Sequence, residues 1–216
     1  MSGMSRLTGG RAGRGQAGQG LVEFAFLLPV FLLILLGMLE FGFAFNHNLS
    51  LEYATREGAR AGAAMADGSI TDSACGGVQL TAANVDPLII AAVQRVLESP
   101  GSMVDISQVQ SITIYQATAT GTPVAGKSNV WTRTPGAGPA VPCQLPLQKM
   151  DFSPGTVNWP ASSRLNGGSP DHLGVSISYT YQFRSALGSI LRFFGGTGAS
   201  SLAMTDRTVM DLEPTP

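Results

Sequence analysis

A long apolar segment near the N-terminus is the feature that most constrains how this chain can fold. Residues 24–39, FAFLLPVFLLILLGML, contain no polar side chain and lie between Glu23 and Glu40. With its apolar flanks the segment covers residues 21–45, which as a helix would be about 37 Å long at ~1.5 Å per residue. Because the hydrocarbon core of a bilayer is about 30 Å thick, the sequence predicts a single transmembrane helix.

The charges before this segment predict its orientation. Arg6, Arg11 and Arg14 precede it, and residues 1–20 contain no acidic side chain. Since positive charge is retained on the cytoplasmic side, we expect the N-terminus in the cytoplasm and the C-terminal part outside. The apolar segment is also longer than the ~7–15 residues typical of a secretory signal, which favours a retained anchor in the cell membrane.

The chain divides into four predicted parts. They are a basic, Gly-rich cytoplasmic leader (1–20), a transmembrane helix (21–45), an extracytoplasmic extension of that helix (46–66) and an extracytoplasmic α+β domain (67–216). The extension is Ala-rich and lacks proline, and we expect Gly68 to end it.

Hydrophobic periodicity predicts the elements of the outer domain. Helices are expected at 81–99 and 185–195, and strands at 109–119, 174–183 and 200–214, with a Pro/Gly-rich irregular insertion at 134–170. The strand at 174–183 alternates most regularly and should place its odd-numbered residues on one face. The predicted fold class is α+β, with a small antiparallel sheet packed on the long N-terminal helix.

Composition argues against several classes of function. The net charge is −1, and the ten Lys/Arg and twelve Asp/Glu after Asn46 are scattered, so nucleic acid is not an expected partner. The chain has two histidines, His47 next to the apolar segment and His172, which is predicted to lie in a loop after Asp171. No His/Cys cluster has the spacing of a metal site. We therefore expect no cofactor, no metal and no enzymatic activity.

Residues 121–128, GTPVAGKS, match the consensus of a phosphate-binding loop. In such a loop Lys127 and Ser128 would open a helix, whereas the following NVWTRTPGAGPAVP has no helical period. We predict instead a hairpin loop that leads into Val130-Trp131-Thr132, and no nucleotide site.

Cys75 and Cys143 both follow the apolar segment and would face an oxidising compartment. A disulfide between them is one possibility, and two buried free thiols are the other.

The junction AGQG-LVEF combines Gly18 and Gln19 with Glu23 and Phe24 at the start of the apolar helix. A prepilin peptidase requires a small residue on an extended basic leader at this point. A carboxylate entering lipid is costly and suggests a partner, which in a helical bundle would be the freed N-terminal amine of a neighbour. The alternative is that Gly18 is linker and that Glu23 lies among the headgroups.

Further along the same helix, Gly58 and Gly62 have the spacing that lets two helices approach closely. Their face is predicted to pack either on another helix in an assembly or on the protein's own sheet. For Glu40 the alternatives are a position at the headgroup level and a structural partner on another helix.

Residues 14–63, from RGQAGQGLVEFAFLLP through GMLEFG to REGARAGA, resemble the N-terminal signature of the TadE-like family. Members of that family are minor pilins or pseudopilins of the tight-adherence (Flp-type) pilus system. The resemblance implies cleavage by the prepilin peptidase between Gly18 and Gln19, which would make Glu23 the fifth residue of the mature chain. Gly20 offers a second register.

The resemblance also implies that the extracytoplasmic domain is pilin-like. It further implies the partners: the membrane, the prepilin peptidase, other pilins or pseudopilins, and the pilus assembly machinery. The expected role is structural, in pilus assembly, adhesion or a related secretion system. The alternative function is a membrane-anchored extracytoplasmic binding domain unrelated to pili.

Overall fold

A computed structural model describes residues 16–65, 68, 71–72, 78–79, 81–140, 150–196 and 200–212. Within them, the first element is a helix, α1 (Gln16–Met65), and a second long helix follows, α2 (Ala82–Leu97). The strands are β1 (Thr71–Asp72), β2 (Val78–Gln79), β3 (Val109–Ala117), β4 (Pro123–Arg133), β5 (Phe152–Val157), β6 (His172–Gln182) and β7 (Ser201–Asp211). A short helix, α3 (Ala186–Gly195), connects β6 to β7.

Five strands form one antiparallel sheet in the order β5-β4-β3-β6-β7, while β1 and β2 pair separately as a short hairpin. The outer half of α1 packs on one face of the large sheet, and α2 packs against α1 and contributes to the same hydrophobic core. The predicted α+β class, with a long apolar N-terminal helix and a small antiparallel sheet, is confirmed.

The core lies between the helical layer and the sheet. On α1 the buried residues recur at intervals of three and four, the period of one helix face; they are Glu40, His47, Leu51, Ala54, Thr55, Gly58, Ala59, Gly62 and Ala63. On β6, Leu173, Val175, Ile177, Tyr179 and Tyr181 are buried, and from Val175 onward they alternate with less buried neighbours, as the sequence pattern predicts.

Chain direction places the two ends of β6 at different levels of α1. A Cβ built on Gly62 meets Leu173 at the start of β6, whereas Glu40 bonds Tyr181 near its end. The strand therefore runs antiparallel to α1, and the connection through α3 lies at the end of the sheet nearest the apolar part of the helix.

Most predicted elements are found within a few residues of their expected ends. The helix α1 ends at Met65, where the Gly68 N–H bonds the Met65 carbonyl and Gly68 has φ +82°, a conformation that glycine adopts readily. The predicted strands at 109–119, 174–183 and 200–214 correspond to β3, β6 and β7.

Three expectations were wrong. The insertion at 134–170 is not irregular throughout, because it contains β5, an edge strand whose Pro154 and Gly155 hide the strand pattern. Residues 16–20 of the predicted leader are helical, since α1 begins at Gln16. His172 is the first residue of β6, not part of a loop.

Candidate functional site

The start of α1 carries the residues of the predicted processing site, and all those described are exposed. Nothing lies within 4 Å of a Cβ built on Gly18 or Gly20. The Gln19 side-chain amide donates to the Glu23 carboxylate one turn later, with Nε2 and Oε1 3.1 Å apart. Phe24 is 60% exposed. The glycines are thus open to an enzyme, and the helical turn that contains them is intrinsically weak because glycine disfavours helix.

The apolar part of α1 is not covered by other described residues over most of its length. Its side chains are exposed through residues 21–35 and at residues 38 and 39, and Phe26 is 77% exposed. The helix is long and apolar enough to cross a membrane, with a mean hydropathy of 2.6 over its most apolar window. A surface of this size and composition is unfavourable in water and indicates a membrane-anchored protein.

Glu40 marks the point where α1 enters the folded domain. Its side chain is buried, and its Oε1 accepts hydrogen bonds from the Tyr181 hydroxyl and from the Arg184 backbone N–H, at 2.8 Å. Its Oε2 accepts from the Ser185 N–H at 2.9 Å. Because Ser185 is the N-cap of α3, the carboxylate lies at the N-terminus of that helix, where negative charge is favourable.

Glu40 is therefore held by the protein's own β6–α3 connection. From the sequence, Glu40 was expected either to lie at the headgroup level or to pair with another helix. Neither alternative included the β6–α3 connection. Two features of the sequence pointed to such a partner: Tyr181 is on the inward face of β6, and Arg184-Ser185 immediately precedes a short helix. It could not be read without knowing that β6 runs antiparallel to α1.

An aromatic cluster forms the next contact between α1 and the sheet, about two helical turns after Glu40. His47 is buried; its Nδ1 lies 3.0 Å from the Tyr179 hydroxyl, and its ring packs edge-on to Tyr181 with centroids 4.9 Å apart. Burial, reinforced by the Arg184 charge and opposed by Asp105, lowers the pKa of His47. Burial likewise raises the pKa of the Tyr181 phenol, and the neighbouring Glu40 raises it further.

Gly58 and Gly62 lie where α1 approaches both α2 and the sheet. A Cβ on Gly58 would meet the Val93 side chain at 2.5 Å, and one on Gly62 would meet Ile89 at 2.8 Å and Leu173 at 2.9 Å. In this structure the small-residue face is thus filled by the protein's own core.

Two polar clusters link the helices α1 and α2 to other parts of the domain. Thr55 on α1 is buried and bonds Asp206 and Thr208 of β7. On the other side Asp86 of α2 pairs with the buried Arg164, and Asn129 joins them by donating to Asp86 at 2.6 Å. Both clusters connect elements within the domain.

The segment that resembles a phosphate-binding loop has a different structure. The turn of the β3–β4 hairpin falls at residues 118–122, and β4 begins at Pro123, so Lys127 and Ser128 lie on a strand. Ser128 is paired with Tyr115 of β3. The predicted hairpin is present, but the strand is longer than expected and no helix opens at the Lys-Ser step.

Among the described residues no group of three or more His, Cys, Asp or Glu side chains has the arrangement of a metal site. Cys75 and Cys143 lie outside the described residues, so the disulfide stays a prediction.

Comparison with known families matches residues 18–60 to a model described as TadE-like protein. The match covers the glycines of the processing site, the exposed apolar segment, Glu40 and the first part of the packed helix. The resemblance noted in the sequence is thereby confirmed over these residues, and the match supports, in general terms, an association with the tight-adherence pilus system. No curated protein and no solved structure shows significant similarity to the chain.

Proposed function

We propose that this protein is a TadE-like pseudopilin, a structural or assembly component of a tight-adherence (Flp-type) pilus or a related secretion system. Its action is structural: α1 anchors the protein, and the outer domain contacts other pilins or the assembly machinery. No catalytic step is assigned to it.

The observation that carries this proposal is the division of α1 into two parts. Residues 21–39 are almost wholly exposed and apolar, whereas from Glu40 onward one face of the same helix is part of the domain core. A protein that joins a helical bundle in the membrane needs a free apolar helix of this kind and a rigid connection to its outer domain. The family match spans both parts.

The exposed segment of α1 is also where helix partners would bind. Since Gly58 and Gly62 contact the protein's own core, the contact surface for other helices in lipid is the free part before Glu40. Association there depends on close packing and on pairing polar groups, because lipid supplies no hydrophobic drive between helices. Glu23 is the exposed carboxylate of this part and is available to the N-terminal amine of a neighbouring mature chain.

The proposal requires processing at the start of α1, which we test by co-expression with the prepilin peptidase of a tight-adherence system. Mass spectrometry of the membrane-extracted protein should show a mature chain that begins at Gln19. The Gly18→Val variant should stay unprocessed, because a branched side chain blocks the small-residue pocket of the enzyme. Gly20→Val is the matched control and should still be cleaved.

If Gly20→Val blocks cleavage and Gly18→Val does not, the enzyme cleaves after Gly20, and the pseudopilin function still stands. An intact N-terminus in wild type and in both variants, with a known prepilin processed in the same cells, would refute the pseudopilin function.

The alternative is a membrane-anchored extracytoplasmic binding domain unrelated to pili. An open cleft on the sheet face opposite the helices favours this alternative, because it lies outside the residues that match the family. Its lining includes Thr113, Tyr115, Ser128, Ser176 and Arg207. A persistent intact N-terminus together with a ligand bound at this cleft would support that function.

A further inference from the structure

The membrane-proximal end of the domain carries a second apolar element besides α1. The helix α3 has Leu187, Ile190 and Leu191 on one face, and all three are only half-buried. Phe193 is 84% exposed. The next described strand adds Leu202, which is 46% exposed and pairs with Tyr181, so it faces the helical side of the sheet. We call these residues, together with Arg192, the α3 surface.

The position of α3 along α1 is fixed by hydrogen bonds. The backbone N–H groups of Arg184 and Ser185, immediately before the helix, both donate to Glu40. Glu40 is also the residue at which the exposed apolar part of α1 ends. The α3 surface is thus at the level where the membrane-spanning helix leaves the hydrocarbon, and α3 contacts α1 directly.

The charges near α3 fit an interfacial position. Residues 183–202 contain two basic side chains, Arg184 and Arg192, and no acidic one. Both guanidinium groups are on exposed residues, where they bond neighbouring oxygens of Met103 and Ser200. Arginines beside exposed apolar side chains are typical of amphipathic helices that lie at a membrane surface, with the charge at the phosphates and the apolar face among the acyl chains.

We propose that the α3 surface is a second membrane-contact site, which inserts into the outer headgroup region of the bilayer beside α1. The inference rests on α1 crossing a membrane, as the proposed function requires. It goes further in assigning a lipid surface as the partner of α3, and it implies that the domain is seated against the membrane at this end. Continuity with the apolar part of α1 is what selects lipid over a protein partner.

Depth-dependent fluorescence quenching tests this with the full chain in vesicles of phosphatidylcholine and phosphatidylglycerol. The probe is Phe193→Trp, which keeps an aromatic ring at the position. Leu33→Trp, in the middle of the exposed part of α1, reports insertion of the anchor. Leu165→Trp is the matched control, since Leu165 is exposed near the start of β6 at the far end of the sheet. Wild type gives the background of Trp131 and Trp159, which are buried in the core.

A nitroxide near the headgroups should quench Phe193→Trp about twofold more than a nitroxide near the acyl-chain ends, as expected for a site roughly 5–10 Å below the surface. Leu33→Trp should show the reverse order, and Leu165→Trp should not be quenched by either. Adding Arg192→Gln to Phe193→Trp should reduce quenching more in vesicles that contain anionic phosphatidylglycerol than in vesicles of phosphatidylcholine alone.

Quenching of Leu33→Trp without quenching of Phe193→Trp would overturn the α3 proposal and leave the anchored pseudopilin intact. A blue-shifted but unquenched Phe193→Trp would overturn it too, in favour of a protein partner at this surface. If Leu33→Trp is not quenched at all, the anchor itself is absent, and the proposed function fails together with this inference.

Discussion

Glu40 receives three hydrogen bonds, one from β6 and two from the segment that joins β6 to α3, and none of the three donor groups carries a charge that would neutralise it. Two are backbone N–H groups and one is the hydroxyl of Tyr181. Hydrogen bonds to an ionised acceptor are worth about 1.5–3 kcal/mol each in favourable cases, and a buried donor left without a partner adds its own cost. The Glu40 side chain therefore ties α1 to the β6–α3 end of the domain, in addition to the core contacts further along the helix.

We predict that Glu40→Ala lowers the free energy of unfolding of the domain by about 2–4 kcal/mol, because it leaves three donors without an acceptor. Denaturant titration of the detergent-solubilised protein, followed by near-ultraviolet circular dichroism, measures the change. Glu98→Ala is the matched control, since Glu98 is an exposed carboxylate that bonds Gln94. Equal, small effects of the two substitutions would show that the Glu40 contacts do not hold the domain to the helix.

His47 predicts a pH dependence of stability. Its pKa is lowered in the folded protein, chiefly by burial, from an ordinary value of 6.5. The unfolded chain therefore binds the proton more readily, and the stability that neutral His47 provides is present above pH 6.5 and lost as the pH falls below it. Unfolding midpoints between pH 7.5 and 5 should decrease for wild type and decrease much less for His47→Leu. An unchanged slope in the variant would assign the effect to other groups.

At the scale of elements, α1 is one continuous helix with two environments. Its first part has no tertiary contacts over most of its surface, while its second part packs on α2, β6 and β7. The close approach depends on glycine, since the atoms of Val93, Ile89 and Leu173 occupy the positions that Cβ atoms at Gly58 and Gly62 would take.

We predict that Gly58→Ala destabilises the domain by about 1–3 kcal/mol through overpacking, even though alanine favours a helix by about 1 kcal/mol. Gly42→Ala on the same helix is the control, because nothing lies within 4 Å of its added methyl group, and it should be neutral or slightly stabilising. Thermal unfolding in detergent compares the two. If Gly58→Ala leaves stability unchanged and impairs only assembly with other pilins, the glycine face serves an intermolecular contact.

Sequence patterns predicted those elements in which the pattern of apolar residues or the helix-ending residue corresponds to what is buried or turned in the folded domain. The alternation in β6 corresponds to a strand with one buried face, and Gly68 ends α1 as its freedom at positive φ suggests. The edge strand β5 was missed, since its pattern of burial has a single buried residue, Phe152. The partner of Glu40 was missed for another reason: a long-range hydrogen bond across more than a hundred residues leaves no periodic trace.

In the part of the chain that the structure describes, an exposed apolar helix continues into a two-layer domain that shares the same helix. The charges of the leader predict the orientation of the chain in the membrane.

We predict that alkaline phosphatase fused after Pro216 is active and that a green fluorescent protein fused there is dark, because the basic leader predicts an extracytoplasmic C-terminus. Replacing Arg6, Arg11 and Arg14 together by Glu should reduce the phosphatase activity severalfold. A bright cytosolic fluorescent fusion in the unmodified protein would reverse the topology.

The sharing of α1 between anchor and core has a mechanical consequence. A tether that ends in a flexible linker transmits tension to the linker first, whereas here any force that pulls the helix along its axis shears Leu51, Ala54 and Ala59 against the sheet. The domain would resist such a load with its entire hydrophobic interior. Extracting the anchor from a bilayer or a filament would accordingly require breaking the protein itself or paying the full cost of exposing the apolar helix to water.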